Sequence, residues 1–546
     1  MKNICKPLLF TVLLSGSACT ANYLEINSDP YQPNKDQMQA DGYLLGATMS
    51  GIMSGVISTD VNTAQFTDCL LGGTQGGYFA DSNAEQRNTI SNYNPTDNWT
   101  NVFMASDFVI PTLYSNLREL KEQTDDPVIL AIADVIKVAA MHRVTDTYGP
   151  IPYSQIGADG QLQVPYDSQK AVYDKFFEEL NAAIDVLTSN RSVTIASSAD
   201  NIYGGSAEKW CKFANSLKLR LAMRIVYADP ATARTMAESA VSHEIGVMTS
   251  NDDNACMTSF GADGNPIYVA VNYNSATHSD NTACLTGGDS HAAADIICYM
   301  NAYNDNRRAS YPRRAAYFVE SEWPGQTYVG MRRGIEIPDL SSIGHKYSGV
   351  KLTTSSPLCW MNAAEVAFLK AEAKAVFGFD MGSGSAEDFY NEGIRLSFEQ
   401  WGVSGYESYI AQSSAPQIVY IDPNNGKDTY SNTLSTTSVA WKTGTPDEMQ
   451  ERIIIQKWIA NWLLGNESWA DYRRTGFPHL IPATEAGNKS GGIVDSEMGA
   501  RRMPYPAEER TTNAENYQTA VSTLLQGADN MATRMWWDCN PNIPRN

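Results

Sequence analysis

The residues of this sequence best suited to chemistry are aromatic and amide side chains set in polar, glycine-rich stretches. Tyr78, Tyr93 and Trp99 follow the run Gly72-Gly-Thr-Gln-Gly-Gly77. Asn272, Tyr273 and Asn274 form a second group, and Trp323, Tyr328 and Arg332 lie within Trp323-Pro-Gly-Gln-Thr-Tyr-Val-Gly-Met-Arg-Arg333. Aromatic faces suit the apolar side of pyranose rings, and amide, carboxylate and guanidinium groups suit the hydroxyls around them. That chemistry needs no perturbed pKa. The alternative for each residue is that it packs its own loop onto a scaffold.

Enzyme chemistry finds less support. The sequence has no HExxH, no GxSxG and no phosphate loop, since the glycine run lacks the Lys-Ser/Thr that would follow it. That run is expected to be a flexible, exposed loop. Gly288-Asp-Ser-His291 has the look of an esterase motif but lacks the preceding strand, so Ser290 is expected to cap a helix. The histidines, at 142, 243, 278, 291, 345 and 479, show no ligand spacing. No cofactor is assigned; the Asp/Asn-rich loops leave a calcium ion open. Acids are plentiful, but nothing singles out two of them for glycoside hydrolysis.

The formal charge of −21 repels nucleic acid and anionic lipid, which excludes nucleic-acid binding. Lys2 and Lys6 precede the apolar run Leu8 to Leu14, and Ser15-Gly-Ser-Ala-Cys19 supplies small residues at a cleavage position. Residues 1–18 therefore read as a signal peptide, with Cys19 as the lipidated first residue of the mature chain. Such acyl chains would be the sole membrane attachment, because no later apolar stretch has spanning length. Beyond Cys5 and Cys19, seven cysteines are widely spread without a CxxC pair, so neither a zinc site nor a disulfide framework is legible.

Helices must carry these loops. Ser168, Ser206, Asn362, Ser385 and Thr445 each stand before an apolar run of helical period, and Asp126-Pro127, Asp229-Pro230 and Thr445-Pro446 open helices with proline. Close pairs of capped helices are expected to pack as hairpins. The helix from Pro127 is expected to end near Arg143, with Thr145 to Tyr153 as a rigid turn. Gly465 is expected to terminate the helix that begins at Thr445, and Glu467 to Phe477 to form a core element with a charged hinge. Between Ser242 and Met361 polar residues dominate, and helix is credible only around Ser290 to Ala302.

Six segments together resemble the SusD/RagB family of nutrient-binding outer-membrane lipoproteins. They are Tyr23 to Pro30 after a lipobox, Thr145 to Tyr153, Tyr203 to Arg224, Asn362 to Ala373, Trp458 to Phe477, and Arg501-Arg-Met-Pro-Tyr-Pro506. The resemblance spans nearly the whole mature chain and lies closest to the SusD-like branch. It implies an all-α fold of tetratricopeptide-like helix pairs bearing loop-rich inserts. Residues 19–546 would form a single domain, with scaffold at about 22–242 and 362–546 and a ligand-side insert at about 243–361. It further implies capture of oligosaccharides or peptides and delivery to a SusC-like TonB-dependent β-barrel transporter at the cell surface. Thr20-Ala-Asn-Tyr after Cys19 departs from the acid-rich export signal often seen in this family, which leaves the leaflet of the anchor open. Two other readings stand beside this one: a lipid-anchored glycosidase or esterase, and a structural envelope scaffold.

Overall fold

Helices begin where a capping side chain precedes an apolar run. Ser168 accepts from the Ala171 amide, Ser206 from Lys209, Asn362 from Glu365 and Ser385 from Asp388, while Thr445 and Glu448 answer each other in a capping box. These contacts are visible in a computed structural model that describes residues 42–82, 89–96, 100–101, 103–104, 109–157, 163–273, 288–312, 328–337 and 344–544. Cys19, Trp99, Asn274 and Trp323 lie outside the described residues.

The principal helices, in chain order, are α1 (Tyr43–Met53), α2 (Val109–Gln123), α3 (Pro127–Tyr148), α4 (Gln169–Ser189), α5 (Ala207–Arg224) and α6 (Pro230–Ser242). They continue with α7 (Ala294–Ala302), α8 (Ala363–Phe377), α9 (Ala386–Gln400), α10 (Pro446–Ala460) and α11 (Gly465–Thr475). Consecutive helices α1 and α2, α3 and α4, α5 and α6, and α8 and α9 pack side by side, and α5 against α8 joins pairs from opposite sides of the polar insert. The fold is the all-α helix-pair scaffold expected. Among the described residues three small antiparallel pairs accompany it: β1 (Phe79–Asp81) with β5 (Ser290–Ala292), β2 (Ile151–Pro152) with β3 (Tyr166–Asp167), and β4 (Ala255–Met257) with β6 (Leu358–Met361). In the last pair Cys256 faces Cys359 and the two form a disulfide across a sequence separation of 103 residues. It ties together the two ends of the polar insert, a link the cysteine spacing did not disclose.

Four expectations are corrected. α3 runs through Tyr148, because proline forbids helix only from Pro150 onward and Gly149 makes the exit at φ 89°. α10 ends at Ala460, and Gly465 begins α11 instead of ending α10. The glycine is required for space: a Cβ there would sit inside the backbone of Gly72 and Gly73, where α11 crosses the π-helix Gln65–Gly73. The run from Gly72 to Gly77 is accordingly buried beneath α11, not an exposed loop. Ser290 lies in β5, and α7 starts four residues later with Ala293 as its N-cap.

The charged hinge is a buried ion network that joins α3, α5, α8, α10 and α11. Arg220 grips Glu365 through two nitrogens at 2.8 and 2.7 Å. Arg224 pairs with Asp146 and Glu467. Lys457, fully enclosed, lies 2.5 Å from Asp471 and 3.2 Å from Glu467, and Arg474 bonds Glu372 and Asp471. Burial alone would raise the Glu467 carboxyl, but Arg224, Lys457 and Arg220 outweigh it and hold that group well below the usual carboxylate range. Arg473 has no carboxylate of its own and donates to the backbone oxygens of Asp146 and Arg501, so burial drops its pKa to about 9.

His142, on α3 beside this network, is held neutral. Burial, reinforced by Arg220, lowers its pKa to about 3, against an unfolded value near 6.5. The unfolded chain therefore binds a proton below about pH 6.5 that the folded chain refuses, and stability falls as pH drops from there toward 3. His142→Gln is expected to flatten the loss of unfolding free energy between pH 6 and 4 by about 1.4 kcal/mol per pH unit. Denaturant titrations of both proteins across that range measure it, and parallel slopes would show that His142 is not a source of acid lability.

Candidate functional site

Asp305 fixes the position of the residue that opens the site. It caps the turn Asn306–Ala309, accepting from the Arg307 amide, and the Arg307 guanidinium folds back onto the same carboxylate, both side chains being fully buried. The next residue, Arg308, is thereby turned outward onto a cleft of about 430 Å³. α7 lines one wall with Asn301, the extended segment Tyr328 to Gly330 a second, and the segment from Gln417 to Ile421 a third. A backbone pairing of Tyr420 with Tyr430, 3.0 Å in each direction, holds the third wall.

The chemistry within this cleft is aromatic and amide. Asn301 donates to the Tyr328 carbonyl at 3.0 Å and accepts from Arg308 at 3.3 Å, which locks the backbone of Tyr328 in place. The Tyr328 hydroxyl and the remaining Arg308 donors carry no hydrogen bond among the described residues, although the tyrosine is half-buried. Gln417 is exposed, and Ile421 is 48% exposed, unusual for a large aliphatic side chain. An aromatic ring on a fixed backbone, an apolar contact and unspent amide and guanidinium donors around one hollow can hold a polyol.

The structure divides the residues expected to touch a ligand. Tyr328 lines the cleft. Tyr273 is exposed, 56%, at the end of the short helix Pro266–Val271, where its carbonyl accepts from the Asp289 amide. Asn272 spends its amide on the Tyr268 carbonyl at 2.7 Å. Three expectations are overturned by burial. Tyr78 is fully enclosed, donates to the Trp458 carbonyl and stacks on that indole. Tyr93 is buried at φ 61° beside Arg333. Arg332 points inward and gives its donors to the carbonyls of Pro482 and Asp428. Arg308, Asn301, Gln417 and Ile421 were not foreseen: none of the four stands in the aromatic and amide groups chosen from the sequence.

The esterase-like run is structural. Its serine, Ser290, is enclosed in β5, and the buried His291 sets its Nδ1 2.9 Å from Oγ of Ser82, a buried hydroxyl that spends its proton on the Gly288 carbonyl at 2.8 Å. An enclosed hydroxyl that already donates to a backbone oxygen is not an activated nucleophile. Among the described residues no group of three or more His, Cys, Asp or Glu is arranged to hold a metal ion, and no helix is long and apolar enough to cross a membrane.

Comparison with known proteins agrees with this architecture. A SusD homologue from Bacteroides uniformis superposes with a TM-score of 0.86 at 58% identity, covering 91% of this chain and 100% of its own. A homologue from Bacteroides ovatus gives 0.81 at 41%, covering 92% and 100%. A chitin-binding SusD homologue from Flavobacterium johnsoniae gives 0.81 at 35%, covering 91% and 99%. The last of these is named for binding chitin. No curated protein matches. Residues 25–538 match the SusD-like family, described as Susd and RagB outer membrane lipoprotein, and the chain belongs to that family of nutrient-binding proteins.

Proposed function

We propose that the protein is anchored through Cys19 at the cell surface, captures oligosaccharide in the cleft beside Tyr328 and passes it to a SusC-like TonB-dependent β-barrel. The observation that carries the proposal is the cleft itself: Tyr328, Arg308, Gln417 and Ile421 offer an aromatic ring, unspent donors and an apolar contact on walls fixed by Asn301 and by the Tyr420–Tyr430 pairing. The chitin-binding relative at 35% identity favours saccharide over peptide and makes chito-oligosaccharides the first ligands to try. The exposed Tyr273 supplies a further aromatic face for a longer chain.

Tyr328→Ala is expected to weaken chito-oligosaccharide binding about tenfold, the worth of one aromatic contact. Isothermal titration of the purified protein and its variant measures this. Equal affinities would move the site away from this cleft. Purification of the tagged, natively lipidated protein in mild detergent tests the second half of the proposal. A stoichiometric large β-barrel is expected to accompany it, and isolation of the protein alone, under conditions that keep other envelope complexes intact, would refute delivery.

A further inference from the structure

A second cleft, of about 680 Å³, shares no residue with the one beside Tyr328. It lies between the start of α4, the loop from Asp495 to Gly499, the turn from Leu524 to Gly527, and the tail from Ala532 to Cys539. We propose that it is a second binding site for neutral oligosaccharide, a proposal that rests on the saccharide reading of the first.

The first argument is the state of its polar groups. Asp495 accepts from the amides of Glu497 and Met498 through one carboxylate oxygen, at 2.7 and 3.1 Å, and its other oxygen carries no bond among the described residues. Gln526 is exposed, and its side-chain amide carries no hydrogen bond among the described residues. Lys170 lies at the rim with its ammonium paired to Asp174 at 2.9 and 3.0 Å. The arginine on the floor is already neutralised: Arg501 grips Asp538 through two nitrogens at 2.7 and 2.5 Å. With Arg501 and Arg534 both drawn onto Asp538 and Lys170 onto Asp174, the cations of the lining are already paired, and the cleft suits a polyol without charge.

Aromatic surface comes from Trp536, which is half-buried at the wall. Its backbone amide donates to Gln169 Oε1 at 3.0 Å, its ring lies 6.1 Å from that of Tyr173, and Lys170 Nζ sits 5.9 Å from its centre. The indole is therefore held in place before any ligand arrives, which lowers the entropy lost on binding. The facing walls are equally fixed. Asn530 accepts from the amides of Ala532 and Thr533, and the Thr533 hydroxyl donates to the Ala528 carbonyl at 2.6 Å. Gln526 itself is held at φ 58°, a left-handed conformation that a residue with a side chain keeps only where the surroundings enforce it. The result is a rigid hollow with an aromatic wall, a free carboxylate oxygen and a free amide, the set required for hydroxyls and apolar ring faces together.

Calorimetric titration of the full chain with chito-oligosaccharides decides it. The expected stoichiometry is about two saccharides per protein, with Tyr328→Ala retaining the second event and Trp536→Ala or Gln526→Ala weakening that event about tenfold. Gln526 is exposed and unbonded, so its variant probes the cleft without the packing that Trp536→Ala disturbs. Should Tyr328→Ala abolish all binding, or Trp536→Ala and Gln526→Ala both leave the titration unchanged, the second site is overturned and the first stands. If the unaltered protein binds no chito-oligosaccharide at all, both readings fall.

Discussion

Lys457→Met lowers the unfolding free energy by about 3–5 kcal/mol, the cost of removing one partner from a buried charge group. The ammonium is fully enclosed and reaches Asp471 at 2.5 Å, Glu467 at 3.2 Å and Glu365 at 3.6 Å. After substitution the three carboxylates share Arg474, Arg224 and Arg220 with Glu372 and Asp146, and the group holds one more uncompensated negative charge away from water. Acid then relieves the fault. A carboxyl whose cation has gone has a raised folded-state pKa, so it takes up a proton in the folded protein first and the deficit shrinks as pH falls from 7 toward 5. Denaturant unfolding at both pH values measures the two effects. As a contrast, Lys175→Ala breaks an exposed pair with Glu178, 40% and 69% exposed, and is expected to change stability by less than about 0.5 kcal/mol. A deficit of similar size in both variants would mean that the network does not bind the five helices together.

Replacing Cys256 and Cys359 by alanine is expected to cost about 2–5 kcal/mol. The value follows from the chain entropy released when a loop of this length is opened in the unfolded state. The disulfide spans 103 residues, and between its cysteines lie α7, β5, Tyr328 and Arg308, so one bond closes the loop that bears most of the first cleft. Unfolding midpoints of the oxidised protein and the double variant give the loss. A difference below about 1 kcal/mol would show that β4 and β6 already meet in the unfolded ensemble without help. The bond also fits an exported chain, since disulfides persist in oxidising compartments.

Local chemistry was the legible part of this molecule. Ser168, Ser206, Asn362, Ser385 and Thr445 all cap the helices they precede, because a cap needs only the few residues that follow it. Gly465 was misread for the converse reason. A glycine after an apolar run signals a left-handed exit, but this one is set by Gly72, nearly 400 residues earlier in the chain, and no sequence window contains both. Tyr78 and Tyr93 failed as ligand contacts in the same way: their neighbours in sequence are polar, yet the fold encloses both rings, and Tyr78 meets Trp458 from a distant helix. The Tyr328 cleft brings together side chains from three separated segments, and only Tyr328 carried an aromatic signal strong enough to be chosen.

The link between Cys256 and Cys359 also governs how the protein responds to proteolysis. A single backbone cut anywhere between the two cysteines yields fragments that stay covalently joined, so the nicked protein runs as one species on a non-reducing gel and as two after reduction. The scaffold helices α5 and α8, packed together on either side of the insert, hold the pieces in register as well. A chain so tied can lose one peptide bond between the two cysteines and still hold its parts together.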